Sequence, residues 1–200
     1  MNELTFIMSI VILIMSVVIH ELSHGYTAEL LGDPTPRLQG RLTLNPFKHL
    51  DLFGSLIVPV ITSLSGFTFG WAKPIQWNPY NVENKRWGEL IISIAGPLSN
   101  IFIAVVFGTI IRFFGPSLSV SFIQISSYIV FINILLAVFN MIPVPPLDGS
   151  KVLFALLPAK FSWVREVLER YSIFLFLILI FFLWRFFAPV IPFIFKIIVG

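Results

Sequence analysis

Residues 4–31 form an apolar run in which no charged residue occurs between Phe6 and Ile19. A stretch of 18 or more apolar residues is typical of a transmembrane helix, because about 20 residues of helix cross the hydrocarbon core of a bilayer. The backbone N–H and C=O groups find no water there, so the segment has to close its hydrogen bonds within a helix. The sequence therefore predicts a membrane-spanning helix at this end of the chain.

The composition extends this interpretation to the rest of the chain. Of the 200 residues, 57% are hydrophobic and only 12% are charged, and the mean hydropathy is +0.94. A soluble domain carries about twice that charged fraction. We therefore predict an all-α polytopic membrane protein in which residues 1–200 form a single domain. An amphipathic stretch and a last membrane segment occupy residues 151–200.

Cysteine usage and charge exclude several functions. The chain has no cysteine, so it forms no disulfide and offers no thiolate ligand or cysteine nucleophile. The net charge of +3 is explained by Lys and Arg in cytoplasmic loops. No basic patch interleaved with aromatic residues occurs, so we predict no nucleic-acid partner.

About four apolar segments are long enough to span a bilayer, and two other stretches differ from them. Residues 54–70 are apolar but interrupted by Pro59 and Gly66, which favours a re-entrant or short membrane segment. Residues 36–50 alternate polar and apolar side chains in part, which predicts a small β-like element at the membrane surface. The predicted spans are residues 4–31, 87–114, 122–142 and a last segment from about 172.

The placement of positive charge predicts the orientation in the membrane. Three connections carry Lys or Arg and a fourth carries none; the three are 32–53, 71–86 and 150–170, and the fourth is 115–121. By the positive-inside rule the first three are cytoplasmic and the fourth is external. Segment 54–70 then enters and returns on one side, the alternative being a full span. His20 and His24 would approach the cytoplasmic side of a bacterial or archaeal cell membrane.

The C-terminal third of the first span contains the sequence His20-Glu21-Leu22-Ser23-His24. Positions i and i+4 of a helix lie on one face, so His20 and His24 can offer two imidazole nitrogens to one metal ion. Glu21 lies beside the open coordination position, where it could take a proton from a metal-bound water whose pKa zinc lowers from near 16 to about 7. Ionisable groups at membrane depth are costly and by default mark a functional site. The pattern predicts the metal site of a hydrolase.

A catalytic zinc usually has three protein ligands and a water, so one ligand remains to be found. The only other histidine, His49, lies in a polar loop and is expected on the surface. Most acidic residues sit at segment ends or in loops, which leaves Asp148, in a proline-rich segment that cannot continue as helix. If the first span and the 122–142 span both run inward, Asp148 reaches the depth of the two histidines. An aspartate that merely caps a turn is the alternative.

Three motifs together resemble the site-2 protease family of intramembrane zinc metalloproteases, in its small prokaryotic form. The resemblance covers about residues 5–155, which it implies are the catalytic core, and the paired motifs are far more specific than H-E-x-x-H alone. The motifs are His20-Glu21-Leu22-Ser23-His24, Ala95-Gly96-Pro97 with Asn100, and Asn140-x-x-Pro143-x-Pro145-Pro146-Leu147-Asp148-Gly149.

The resemblance implies a zinc metalloendopeptidase that cleaves membrane-protein substrates within or near their transmembrane segments. It implies that His20, His24 and Asp148 bind one Zn²⁺ per chain and that Glu21 is the catalytic base. A substrate has to be presented as extended chain, because the carbonyl groups of a helix are already bonded within it.

The resemblance also gives a role to two asparagines. Asn100 and Asn140 match polar positions that support the site or hold the substrate backbone. Hydrogen bonding between neighbouring helices is the alternative for both.

Two other functions remain as alternatives. A divalent metal transporter would carry polar residues across the full bilayer and often an inverted repeat, whereas here the polar residues cluster at one depth and no repeat is found. A non-proteolytic relative would bind membrane helices without cutting them, and the intact His20, Glu21, His24 and Asp148 argue against it. Two histidines and an aspartate with an open position suit zinc, although another divalent metal is left open.

Overall fold

The computed structural model describes residues 3–51 and 73–200, and the helices in these ranges account for most of the chain. No strand occurs in either range. The predicted all-α class is therefore confirmed. The α-helices described are α1 (Glu3–Leu30), α2 (Thr35–Leu38), α3 (Lys85–Phe114), α4 (Val120–Asn140), α5 (Asp148–Leu156), α6 (Ser162–Arg170), α7 (Ser172–Ile178), α8 (Trp184–Phe187) and α9 (Val190–Val199).

Three of the described helices are long and apolar enough to cross a membrane. In the most apolar 18-residue stretch of each helix, only 22–33% is buried inside the protein, so most of the apolar surface faces outward. Such a surface suits lipid, and in water it would be an aggregation liability. A fourth candidate span is the pair Ser162–Arg170 and Ser172–Phe187, bent by 73°. This agrees with the predicted bundle of about four spans; the predicted re-entrant segment 54–70 lies outside the described residues.

Local signals explain where the long helices begin and end. After α1 the chain turns at Gly32, whose φ of +99° is a conformation that glycine adopts without strain. Asn84 precedes α3 and its side chain accepts a hydrogen bond from the backbone N–H of Trp87 at 3.2 Å. Ser119 caps α4 in the same way through the N–H of Phe122. Each cap satisfies a backbone donor that the first turn of a helix leaves unpaired.

Helices α1, α3 and α4 pack against one another, and α9 packs against α3 and α4. The apolar core between α3, α4 and α9 is built from Ala104, Ile111, Val130, Ile134 and Ile191. Helix α9 begins directly after Pro189, and residues 190–199 pack along the bundle.

The prediction of a β-like element in residues 36–50 is wrong. The segment contains α2 and a 3₁₀ turn at Pro46–Lys48, joined by turns and bends. Prolines 36 and 46 each stand at the start of a helical turn, where their fixed φ and missing N–H are tolerated. Local acceptors take up several backbone N–H groups, among them Gln39 to Thr35 and His49 to Pro46. Few donors are then left for a strand partner.

Residues 73–84 form a loop that lies over the end of α1. The backbone N–H of Lys73 donates to the carbonyl of His49 at 2.8 Å, and that of Glu83 donates to the carbonyl of Leu31 at 3.3 Å. Asp33, which is fully buried, accepts hydrogen bonds from Asn78 and Asn81 of the same loop. The loop is therefore attached to α1 close to the His-Glu-x-x-His sequence.

Candidate metal centre

His20 and His24 lie on one face of α1 and are 5% and 7% exposed. Their Nε2 atoms are 3.1 Å apart. Asp148 reaches the same point from the first turn of α5, with its Oδ2 atom 3.1 Å from Nε2 of His20 and 3.2 Å from Nε2 of His24. Asp148 follows His20 by 128 residues and His24 by 124 residues in the chain. The fold thus brings together the three residues that the sequence predicts as metal ligands.

The second nitrogen of each imidazole determines what faces the centre. Nδ1 of His24 is 2.6 Å from the backbone carbonyl oxygen of Ile92, and Nδ1 of His20 is 2.6 Å from Oδ1 of Asn100. A carbonyl oxygen only accepts hydrogen bonds, so in a neutral ring each Nδ1 carries the proton and each Nε2 presents a lone pair. Two nitrogen lone pairs and one carboxylate oxygen therefore face one another with no proton between them.

This donor set fits a zinc ion. Three acceptor atoms this close repel one another unless a metal cation, or protons bound to the ligand atoms themselves, lie between them. Ligand atoms about 2.0–2.1 Å from a tetrahedral zinc lie about 3.3 Å from one another, close to the separations seen here. Three protein ligands also leave a fourth position open, as in catalytic rather than structural zinc sites. His20, His24 and Asp148 could therefore hold zinc.

Two glycines allow the chain to approach the centre closely. A Cβ atom at Gly96 of α3 would lie 2.6 Å from Nε2 of His20 and closer still to that of His24. A Cβ atom at Gly149 would collide with the backbone of Met141 and Ile142. The glycine after Asp148 therefore lets α5 begin directly against the end of α4, which brings the carboxylate to the histidines.

Glu21 follows His20 on α1 and is half-buried. Its Oε2 atom accepts a hydrogen bond of 2.8 Å from the backbone N–H of Ile75, in the loop over the end of α1. A carboxylate has about four acceptor sites, so one such bond leaves capacity to take a proton. The loop thus holds the carboxylate of Glu21 in place.

The two asparagines differ in their surroundings. Asn100 is fully buried behind His20, and its amide also bonds to Asn133 at 2.8 Å, so it has no surface for a substrate. Asn140 is half-buried at the end of α4, and its amide donates to the carbonyl of Leu136 one turn earlier at 3.0 Å. The role predicted for Asn140 stays a prediction.

The expectation that His49 lies on the surface is wrong. This side chain is 2% exposed, and its Nε2 atom is 2.9 Å from the carbonyl oxygen of Thr43. The turns of residues 36–50 fold around it, and a loop composition gave no sign of this.

Sequence reasoning missed three residues near the centre. Ser16 and Asn133 are buried beside Asn100, and Lys151 places its Nζ atom 3.7 Å from Oδ1 of Asp148, one helical turn away. A signal existed for Asn133, because an amide within an apolar span is costly and needs a partner. Lys151 also lines a cleft of about 290 Å³ beside α5, together with Glu89, Pro145, Phe154, Arg165 and Glu169.

Comparison with known proteins gives a consistent result. Residues 109–183 match the model of peptidase family M50. The chain is 36% identical over 177 residues to YwhC of Bacillus subtilis (strain 168), named as a candidate zinc metalloprotease; the match covers 85% of this chain and 78% of that protein. No solved structure matches the chain.

Two longer proteins are also similar. Rip2 of Mycolicibacterium smegmatis, likewise named as a candidate zinc metalloprotease, is 34% identical over 146 residues, which is 72% of this chain and 55% of that protein. The zinc metalloprotease MJ0392 of Methanocaldococcus jannaschii is 26% identical over 165 residues, 82% of this chain and 39% of that protein. The chain thus spans about half or less of these two relatives.

Proposed function

Because the chain belongs to peptidase family M50, the site-2 protease family of zinc metalloproteases, we propose that it hydrolyses peptide bonds within or near transmembrane segments of membrane-protein substrates. One observation carries this proposal. Two imidazole nitrogens and a carboxylate oxygen lie within 3.2 Å of one another among helices that are apolar enough to span a membrane. A hydrolytic centre at that place would meet substrates that lie in the bilayer themselves.

We assign a role to each residue of the centre. His20, His24 and Asp148 hold the zinc ion, one per chain. Zinc bound there supplies a Lewis acid that polarises the scissile carbonyl and lowers the pKa of water from near 16 to about 7. Glu21 takes a proton from the attacking water and passes it to the leaving amine, and the hydrogen bond from Ile75 keeps its carboxylate oriented for both steps.

The substrate has to enter as extended chain, since the carbonyl groups of a helix are already occupied. Substrates with helix-breaking residues near the cleavage site are therefore favoured. Asn140 is a candidate donor to the substrate backbone or to the developing oxyanion. Asn100 instead accepts a hydrogen bond from Nδ1 of His20 and so orients the imidazole ring.

We also propose an orientation for this multi-pass membrane protein. The connections at residues 32–51 and 150–170, which carry Lys and Arg, lie at the end of the bundle that holds the centre, whereas the turn at residues 115–119 carries neither. By the positive-inside rule the centre faces the cytoplasmic side of the cell membrane.

The test compares cleavage of tagged single-span membrane proteins by wild type and Glu21→Gln, with bound zinc measured in both. We expect wild type to cut, and Glu21→Gln to hold one zinc per chain while cutting roughly 10²–10⁴-fold more slowly, since general base catalysis contributes about that much. Glu29→Gln is the matched control, because Glu29 lies on the same helix and pairs with the exposed Arg37.

Two results would contradict the proposal. If neither protein binds a stoichiometric amount of zinc, the proposed metal centre is wrong. If Glu21→Gln cleaves as fast as wild type, Glu21 is not the base and the mechanism is a different one.

A further inference from the structure

Three buried polar side chains lie one helical turn from His20, where α1, α3 and α4 meet. Asn100 of α3 and Asn133 of α4 are both fully buried, and Ser16 of α1 is 4% exposed. Polar groups in the apolar interior of a membrane protein are costly unless each finds a partner, and by default they mark a function. No role in the chemistry has been given to Asn133 or Ser16.

These side chains form one directed series of hydrogen bonds. Nδ2 of Asn133 donates to the backbone carbonyl of Ile129 at 2.8 Å and to Oγ of Ser16 at 3.0 Å, so its Oδ1 atom faces Asn100. Nδ2 of Asn100 then donates to Oδ1 of Asn133 at 2.8 Å and, over a longer distance of 3.4 Å, to the backbone carbonyl of Ser16. Oδ1 of Asn100 is left to accept from Nδ1–H of His20 at 2.6 Å.

The two histidines are held in different ways. Nδ1–H of His24 donates to the backbone carbonyl of Ile92, whose direction is fixed by α3. Nδ1–H of His20 donates to a side-chain amide, which can rotate by 180° and exchange its oxygen and nitrogen. A rotated Asn100 would offer N–H to Nδ1 of His20 and favour the tautomer that carries its proton on Nε2, where it blocks a metal. The amide of Asn100 therefore needs a further partner that fixes its orientation.

We propose that Asn133 is this partner, a positioning residue that acts through Asn100 to hold His20 with its Nε2 lone pair toward the metal. With Oδ1 of Asn133 in place, rotation of the Asn100 amide would set two oxygens against each other and lose the bond to Asn133. This inference rests on the proposed function, because it takes His20 to be a zinc ligand.

The experiment measures zinc affinity of the full chain in detergent, by competition with a chromophoric chelator, and the thermal midpoint of the zinc-free protein. Asn133→Leu removes the acceptor for Asn100, and we expect zinc affinity to fall by about 10–100-fold, as for other residues that orient a metal-bound histidine. Asn133→Asp keeps an acceptor oxygen in either protonation state, and we expect it to restore affinity to within about threefold of wild type.

Ser126→Ala is the matched control, because Ser126 is equally buried on α4 and its hydroxyl has no hydrogen-bond partner among the residues that the structure describes. It should leave zinc affinity unchanged. If Asn133→Leu lowers the thermal midpoint but binds zinc as wild type does, Asn133 only packs helices and the inference is overturned. Equal loss of affinity in Asn133→Leu and Asn133→Asp would overturn it as well. Failure of wild type to bind zinc would instead reject the proposed function and this inference together.

Discussion

At the scale of single residues, Gly96 sets the closest approach of α3 to the centre. A Cβ atom there would lie within 2.6 Å of Nε2 of His20, where a metal ion would be held. We expect Gly96→Ala to force the imidazoles or the helix aside and to lower zinc affinity by roughly 5–150-fold, since overpacking a tight site costs about 1–3 kcal/mol. Chelator competition measures the affinity, and substrate cleavage should fall with it.

Gly115 provides the control for this substitution. It lies at the end of the same helix, and a Cβ atom built on it would meet no atom of residues 3–51 or 73–200 within 4 Å. Gly115→Ala should bind zinc as wild type does. Wild-type affinity in Gly96→Ala would show that α3 does not approach the histidines as closely as described.

The sequence predicts some residues of the centre and not others, for a physical reason. His20, His24 and Asp148 could be proposed as ligands because ionisable groups are rare in apolar segments and their type and spacing suit a metal. Asn133 is also a polar residue in an apolar span, but nothing in the sequence shows which way α4 is rotated. Its contact with Asn100 depends on that rotation, which only packing of the helices determines.

At the scale of structural elements, Asp33 connects the end of α1 to the loop over it. Its carboxylate accepts from the hydroxyl of Thr35 at 2.5 Å, the N–H of Asn78 at 2.6 Å and the amide of Asn81 at 2.8 Å. The same loop supplies the N–H of Ile75 that holds Glu21. Asp33 therefore helps to position the proposed base without touching it.

The charge of Asp33 makes this connection depend on pH. Burial opposes ionisation, but the hydrogen bonds from Thr35, Asn81 and Asn78 outweigh it, and the pKa of the Asp33 carboxyl lies below its usual value. A carboxyl whose pKa is lowered in the folded state stabilises the fold at pH above its unfolded pKa of about 4. That contribution is lost as the pH falls through the folded pKa.

We expect Asp33→Asn to loosen the loop of residues 73–84. Hydrogen bonds to a charged group contribute about 1.5–3 kcal/mol, so amide exchange in the loop should be roughly 10–100-fold faster than in wild type at neutral pH. Corrected for intrinsic rates, wild-type protection should be constant from about pH 7 to 5 and decrease below about 4, while that of Asp33→Asn stays low. Glu29→Gln should resemble wild type; equal protection in Asp33→Asn would contradict the role of Asp33.

Elements near the membrane surface were predicted less well than the spans. The predicted end of the first span at residue 31 agrees with the last residue of α1, Leu30, because the glycine and proline that follow at positions 32 and 34 act locally. The strand prediction for residues 36–50 is wrong because Pro36, Pro46 and the cap of Asn45 favour helical turns over a strand ladder. Signals of this kind act within a few residues, so they do not indicate that Asp33 accepts a hydrogen bond from Asn78, 45 residues later.

At the scale of the whole molecule, hydropathy does not decide the course of residues 186–200, because a stretch of this length that is apolar except for Lys196 suits either part of a span or an interfacial helix. The structure places α9 along α3. A Cβ atom at Gly108 would collide with Ile198, and the guanidinium of Arg112 donates to the carbonyl of Ile197 at 2.7 Å. Arg112 lies two residues before the end of α3, next to the turn at Gly115–Ser117. The end of α9 therefore lies at the face of the bundle opposite the metal centre.

This arrangement predicts the side of the membrane on which Gly200 lies. Because the chain has no cysteine, single substitutions can be labelled in membrane vesicles without background. We expect Gly200→Cys and Ser117→Cys to react with a membrane-impermeant maleimide in right-side-out vesicles, and Ser162→Cys, at the start of α6, to react only in inverted ones. All three positions are exposed on the protein surface and lie at or beyond the ends of helices. If Gly200→Cys is labelled in the same vesicles as Ser162→Cys, α9 does not follow α3 across the membrane. If instead Gly200→Cys and Ser117→Cys react only in inverted vesicles and Ser162→Cys in right-side-out ones, the metal centre faces the opposite side of the membrane.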